Sequence, residues 1–343
     1  MKKDIRELDL NSIKEFCLEN SMKPYVSKQV YSWLWNNSCS SFEEMSNLSK
    51  KNRQIFNENF SINKITEDYQ EKSDDGTIKI KFKLFDGNFV EGVLIPHNNR
   101  MTACISSQVG CSLSCKFCAT GTMGRVRNLT AGEIYDQVVA IANKSKEVYN
   151  LPLTNIVYMG MGEPLLNYKN VIRSIHYITS DEGLEMSYKR VTLSTSGIAK
   201  MIRRLADDNV KVNLALSLHA ASEEIRNNIM PIGDHNSLID IRDSLKYYFS
   251  KTKRKITYEY VLLNGINDSI KDADDLFKFT KHIPSKVNLI EYNQVDGLGY
   301  EKSSEKNTEL FMNHLDSRRV NVGLRRSRGK DINAACGQLA NKK

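Results

Sequence analysis

No run of apolar residues in the 343-residue chain is long enough to cross a bilayer, so no membrane-spanning helix is expected. The basic N-terminus, Met1 to Glu7, is not followed by an apolar stretch, so a secretory signal is not expected either. The chain also lacks low-complexity tracts and any repeat with a period of about 20 to 50 residues, which excludes solenoid and propeller arrays. Without an export signal the expected setting is cytoplasmic and reducing. There, seven cysteines read as metal or redox chemistry, not as a disulfide framework. At 40% hydrophobic and 26% charged residues a core can form and wholesale disorder is excluded. The length suits one large α/β domain plus a small accessory one.

The net charge of +8 is unevenly spread. Residues 318–343 hold Arg318, Arg319, Arg325, Arg326, Arg328, Lys330, Lys342 and Lys343 against Asp331 alone. This cluster and the run Lys251–Lys255 suit a phosphate backbone, and a solvated basic tail fits the composition equally well.

Periodicity divides the chain. Apolar stripes at Leu10, Ile13, Phe16 and Cys17, and at Val30, Trp33, Leu34 and Trp35, predict helices, with a polar third over Lys50–Phe60. Residues 78–84 alternate strictly, Asp86-Gly87 makes a turn, and Phe89–Ile95 returns as a strand. From about residue 100 strands alternate with helices: Thr102–Ser106, Asn155–Met159, Arg190–Ser194, Val212–Leu218, Thr257–Leu262, Val287–Tyr292 and Val320–Arg325. That order predicts an α/β fold, a parallel sheet with right-handed crossovers. Six or so units fall short of eight, so the expected form is an open, partial TIM-like (β/α)6 barrel. Residues 1–65 are read as a helical accessory domain, 66–100 as a β-hairpin connector and 101–343 as the core.

Three cysteines, Cys111, Cys115 and Cys118, lie in a loop after the first barrel strand. Structural zinc takes four protein ligands, and so does a cubane iron–sulfur cluster that is fully ligated by protein. Three local thiolates therefore leave one iron of a cluster open, or leave zinc to be completed by a distant ligand. The run, with Phe117 before the third cysteine, resembles the radical-SAM superfamily. There a [4Fe-4S] cluster chelates S-adenosylmethionine (SAM) through its open iron and reductively cleaves it.

Strand ends carry the other candidates. Gly160-Met161-Gly162-Glu163-Pro164 is a glycine-rich turn that lets a ligand approach the backbone, with Glu163 as an acceptor for a protonated amine. It resembles the superfamily's motif for the methionine end of SAM. Ser194 to Gly197 and Ser217-Leu218-His219 also end strands and can contact the ribose and carboxylate, although each alone reads as a cap or turn. Two cysteines remain outside a cluster: Cys104, on the strand feeding the loop, and Cys336, after the Arg-rich stretch 325–330. Cys17 and Cys39 read as small buried hydrophobes.

Taken together, Ile105 to Cys111, Gly160 to Asn167, Ser217 to His219 and Asp331 to Leu339 are similar to the RlmN/Cfr family of RNA adenine methyltransferases, over essentially the whole chain. The resemblance implies that one SAM methylates Cys336 and a second supplies a radical. The methyl carbon on Cys336 then attacks C2 of an adenine. Cys104 resolves the adduct through a transient Cys104–Cys336 disulfide. It further implies Glu91 as acceptor of the C2 proton and Gly162, Glu163, Ser194, Ser217, Leu218, His219 and Asn293 as SAM contacts. The partners it implies are 23S rRNA and tRNA, gripped with help from the N-terminal helical domain, a one-electron donor and a disulfide reductant, with the chain acting as a monomer. C8 methylation within the family, another radical-SAM enzyme with a protein or small-molecule substrate, and a zinc-containing RNA-binding protein without catalysis are the competing readings.

Overall fold

The computed structural model describes residues 2–232 and 236–341. All seven expected parallel strands form. They are Arg100–Cys104, Asn155–Tyr158, Val191–Thr195, Asn213–Ser217, Ile256–Leu262, Ser285–Glu291 and Val322–Arg325, and each pairs with the next in chain order. Helices such as Ala131–Tyr149, Tyr168–Thr179, Ile270–Thr280 and Glu305–Ser317 make the crossovers. The last strand pairs only with its predecessor, so the sheet curls without closing. Six crossovers over seven strands give the partial (β/α)6 barrel.

The open edge is extended rather than capped. Arg100–Cys104 also pairs antiparallel with Phe89–His97, which continues through Ile78–Lys83 to Thr66–Lys72. The structure thus adds a third strand to the expected hairpin and fuses it into one ten-stranded sheet. Thr66–Lys72 is almost wholly exposed and has no apolar face, so alternation could not reveal it.

Side-chain parity builds the site. Leu193, Leu214, Leu216, Tyr258, Tyr260, Val287 and Leu289 are fully buried in the main core. Their alternates, Thr192, Ser194, Ser217, Thr257, Glu259 and Asn288, face the barrel lumen and leave it open. A closed barrel packs that interior with bulky side chains; here small and polar residues leave cavities.

Helices Leu10–Glu19, Tyr25–Trp35 and Lys50–Asn59 start at caps or turns, with Asp9 accepting the Ser12 N–H and Ser49 that of Asn52. They share the barrel's hydrophobic core. Trp35 stacks on Tyr177 at 3.6 Å, and buried Arg6 pairs with Asp4 at 3.1 Å and Asp136 at 2.8 Å. Among the described residues no helix is long and apolar enough to cross a membrane.

Candidate active site

The cysteine loop leaves the short strand Gln108–Gly110 through a turn that only glycine fits. Gly110 has φ +72°, and a Cβ there would stand 1.8 Å from the Gly124 carbonyl oxygen. The loop is then fixed from three sides: Cys111 N–H donates to Gly124 O at 3.1 Å, Lys116 N–H to Ile229 O at 2.9 Å and Ala119 N–H to Gly337 O at 2.7 Å. Cys111, Cys115 and Cys118 face one cavity of about 180 Å³. Burial pushes the Cys111 thiol up to about 11 and the other two upward as well. Neighbouring thiols add to the rise at Cys111 and Cys115, and Cys336 does so at Cys118. Three thiols on one cavity that oppose one another's ionisation suit a positively charged metal group, which turns them into thiolate ligands. Among the described residues no three His, Cys, Asp or Glu side chains are grouped for a single ion. A cubane takes each thiolate on a different iron, and the three thiols spread around one cavity fit it.

The same cavity is ready for a polar ligand. Asn293 Oδ1, Tyr292 OH and Glu259 Oε2 are buried, line it, and have no hydrogen-bond partner. Such orphans mark where a ligand's donors belong. Gly162, at φ +95°, brings bare backbone to the wall, since a Cβ there would meet Gln108 Cβ at 2.5 Å. Glu163 is buried and braces two strand ends: Oε2 accepts from Ser196 N–H and Oγ, both at 2.8 Å, and Oε1 from Leu165 N–H at 3.0 Å. Burial raises its pKa. Ser194 and Ser217 hydroxyls lie 3.3 Å apart on the wall. His219, at φ +55°, accepts from Val261 N–H at 3.0 Å through Nδ1 and packs edge-on to Phe117 at 5.0 Å. Burial, reinforced by Arg226, lowers its pKa to about 3, so the ring is neutral. Leu218 differs from the other expected contacts. Its side chain is fully buried away from the cavity, and its backbone bonds Glu259 and Arg226.

Cys104 and Cys336 both border the open side of the barrel. Cys104 ends its strand in the interior, where burial and then Cys336 push its pKa up to about 12. Cys336 rides on a C-terminal strap, residues 329–341, and is exposed. Strap contacts are Gly329 N–H to Asp75 at 2.9 Å, Ser73 hydroxyl to Asp331 at 2.6 Å, Thr120 hydroxyl to Leu339 O at 2.6 Å and Asn293 Nδ2 to Cys336 O at 3.1 Å. Cys104 and Cys336 line a second cavity of about 900 Å³, and Cys336 lines the cluster-side cavity as well. It therefore stands between the two.

Sequence reasoning missed two residues here. Arg325, grouped there with phosphate-binding cations, turns inward. It lies 3.9 Å from Glu259, lines both cavities beside Cys336, and opposes the upward push on the Cys104 thiol. Glu259 could have been noticed as a charge at an inward position of an otherwise uncharged strand. Other basic residues are less available than the sequence suggests: Arg318 pairs with Asp274 at 2.9 Å and Lys330 with Glu291 at 2.8 Å. Lys251–Lys255 precedes the strand Ile256–Leu262, at the opposite end of the sheet from the site. Glu91 is buried and lines neither cavity. Its Oε2 accepts the Ala340 N–H at 2.9 Å, pinning the strap, and burial raises its pKa.

Comparison with known proteins decides the family. The Radical SAM superfamily model matches residues 105–277, and the model of the ribosomal RNA large subunit methyltransferase N-terminal domain matches residues 3–62. A Flavobacterium psychrophilum protein named "Probable dual-specificity RNA methyltransferase RlmN" is 54% identical over 99% of this chain and 98% of its own. The chain belongs to the RlmN family of radical-SAM RNA methyltransferases. A dual-specificity RNA methyltransferase RlmN from Geobacter sulfurreducens is 42% identical over 99% of this chain and 92% of its own. The crystal structure of a radical SAM methyltransferase from Sphaerobacter thermophilus superposes with TM-score 0.92 at 36% identity, covering 99% of this chain and all of that one. The superfamily uses a [4Fe-4S] cluster and SAM, the groups that the thiol triad and the orphaned polar wall fit.

Proposed function

We propose that the chain methylates C2 of an adenine in 23S rRNA and in tRNA, using two SAM molecules per turnover. The observation that carries this reading is Cys336, poised between the cluster-side cavity and buried Cys104. The bound cluster and SAM supply a methyl group and a carbon-centred radical. Every other step falls to the chain's own residues. Cys111, Cys115 and Cys118 hold the cluster. Gly162, Glu163, Ser194, Ser217 and Asn293 shape the SAM pocket, and His219 buttresses the cluster loop through Phe117.

Cys336 loses its proton and takes the first methyl on Sγ, the sulfonium of SAM leaving as a thioether. That methyl, after losing a hydrogen atom, bonds through its carbon to adenine C2. The adduct returns one electron to the external carrier that supplied the electron for the radical step, and it gives up its C2 proton. Glu91 is the proton acceptor in this reading: burial raises its affinity for a proton, and the strap contact at Ala340 is exchanged for the base. Cys104 then bonds to the Cys336 sulfur as the sulfur–carbon bond breaks. The bond's electron pair stays on carbon, which takes a proton and becomes the new methyl. A reductant resets the disulfide, and an external donor supplies the electron for the radical step. The adenine must be unstacked or splayed from its helix for its C2 edge to reach Cys336.

The N-terminal helical region, packed on the core through Trp35 and Arg6, assists in gripping RNA, and the chain acts as a monomer. Mass mapping of rRNA and tRNA nucleosides, with and without the protein, tests the reading. The expected product is 2-methyladenosine in both RNAs. Finding 8-methyladenosine instead would replace the C2 assignment by C8.

A further inference from the structure

Arg226 is a buried cation that pairs with no carboxylate among the described residues. It lies in the helix Glu223–Ile229 and is 0% exposed. Its Nε donates to Leu218 O at 3.2 Å, one terminal nitrogen donates to Ser196 O, and the other, Nη1, is buried without a partner. Among the described residues no carboxylate stands within ion-pair distance of it. Glu223 is exposed, and its carboxylate accepts the Leu238 N–H. Taking a lone guanidinium out of water costs several kcal/mol unless a negative group answers it.

The helix points to where that group belongs. Its C-terminal end is stapled to the cysteine loop: Lys116 N–H donates to Ile229 O at 2.9 Å and the Lys116 ammonium to Asn228 Oδ1 at 3.1 Å. The backbone oxygens that Arg226 holds, at Ser196 and Leu218, close the strand ends that wall the same cavity. Of the acidic groups acting on Arg226, Cys115 is the strongest. Arg226 does not itself line the cavity. It stands behind the loop, out of reach of SAM or RNA and dry enough for its charge to act with little screening.

We propose that Arg226 is a fixed counter-charge that raises the reduction potential of the cluster held by Cys111, Cys115 and Cys118. Reduction adds one electron, delivered by an external low-potential donor, and makes the cluster more negative. A buried positive charge beside it favours the reduced state, and net charge and burial are among the factors that set such potentials. Arg226 is thus a positioning residue for electron entry. The proposal rests on the cluster reading above.

The test uses full-length protein reconstituted anaerobically with iron and sulfide, as wild type, Arg226→Gln, Arg226→Leu and Arg226→Lys. The readouts are iron content, a redox titration followed by electron paramagnetic resonance, and the rise in Tm on reconstitution. The expected result is a full iron complement in the variants, with the midpoint moved to more negative potential in Gln and Leu and held near wild type in Lys. The Tm gain on reconstitution should also be smaller in Leu than in wild type. Arg226→Leu keeps the test open if the Gln variant fails to fold, because an apolar replacement of a buried ion is often tolerated. An unchanged midpoint in the charge-removing variants overturns the proposal, as does a Lys variant shifted as far as Gln. Wild-type protein that takes up no iron overturns the cluster reading instead.

Discussion

Cys104 is expected to resist alkylation in the folded chain by a margin that follows from its burial. The thiol is raised from an ordinary 9.0 to about 12, chiefly because the interior disfavours its thiolate. Three pKa units correspond to about 4 kcal/mol between the two forms and to roughly a thousandfold less thiolate at any pH below both values. At pH 8 roughly a tenth of an ordinary thiol is ionised, against roughly one part in ten thousand for Cys104. The perturbation is iodoacetamide at pH 7, 8 and 9, on protein without cofactors, folded and then in urea. Peptide mass mapping reads each cysteine separately. Folded Cys104 should react about a thousandfold or more slower than in urea, since steric exclusion adds to the loss of thiolate. Its rate should rise about tenfold per pH unit. The linkage carries a sign: a raised thiol pKa stabilises the fold fully below pH 9, and that contribution is lost as the pH climbs from 9 towards 12. Arg325→Gln removes the cation that opposes the rise and should slow the folded reaction further. Folded Cys104 reacting within tenfold of its rate in urea would refute the reasoning.

Two further outcomes follow from the same geometry. Gly110→Ala sets a Cβ 1.8 Å from Gly124 O at a left-handed φ, which alone costs about 1–2 kcal/mol. Because the cysteine loop must open, iron uptake on anaerobic reconstitution should fall well below wild type, and normal uptake would contradict the account of the turn. Glu91→Gln keeps an amide oxygen for the Ala340 N–H but removes the base. The strap and the fold should survive with an unchanged Tm while methylated RNA is lost and protein–RNA adduct accumulates; normal turnover would reduce Glu91 to a strap anchor.

The parallel barrel was legible because its strands carry their own signal: short β-branched and apolar runs spaced by helices, each pairing with the next in chain order. The cysteine triad was equally legible, since its ligands lie within one loop. What escaped depends on long-range placement. Thr66–Lys72 is a strand only because Ile78–Lys83 supplies its hydrogen bonds; its own residues favour no buried face. Arg325 sits in a basic run, and nothing local says that it reaches the cluster-side cavity while Arg326 and Arg328 do not. The strap contact of Glu91 joins residues 89–91 to 340–341, and no local pattern encodes it. The meeting of Cys104 and Cys336 came from family resemblance. The structure puts both thiols on one cavity, with the strap that carries Cys336 held to Ser73 and Asp75 beyond the open last strand.

The central claim is that Cys336 carries the methyl and Cys104 releases it. Cys104→Ala, reconstituted with cluster and supplied with SAM, reductant and RNA, tests this directly. The prediction is RNA covalently held on Cys336, retained through denaturing electrophoresis and located on the Asp331–Leu339 peptide by mass spectrometry. Release of free methylated RNA at the wild-type rate, with no adduct, would contradict it.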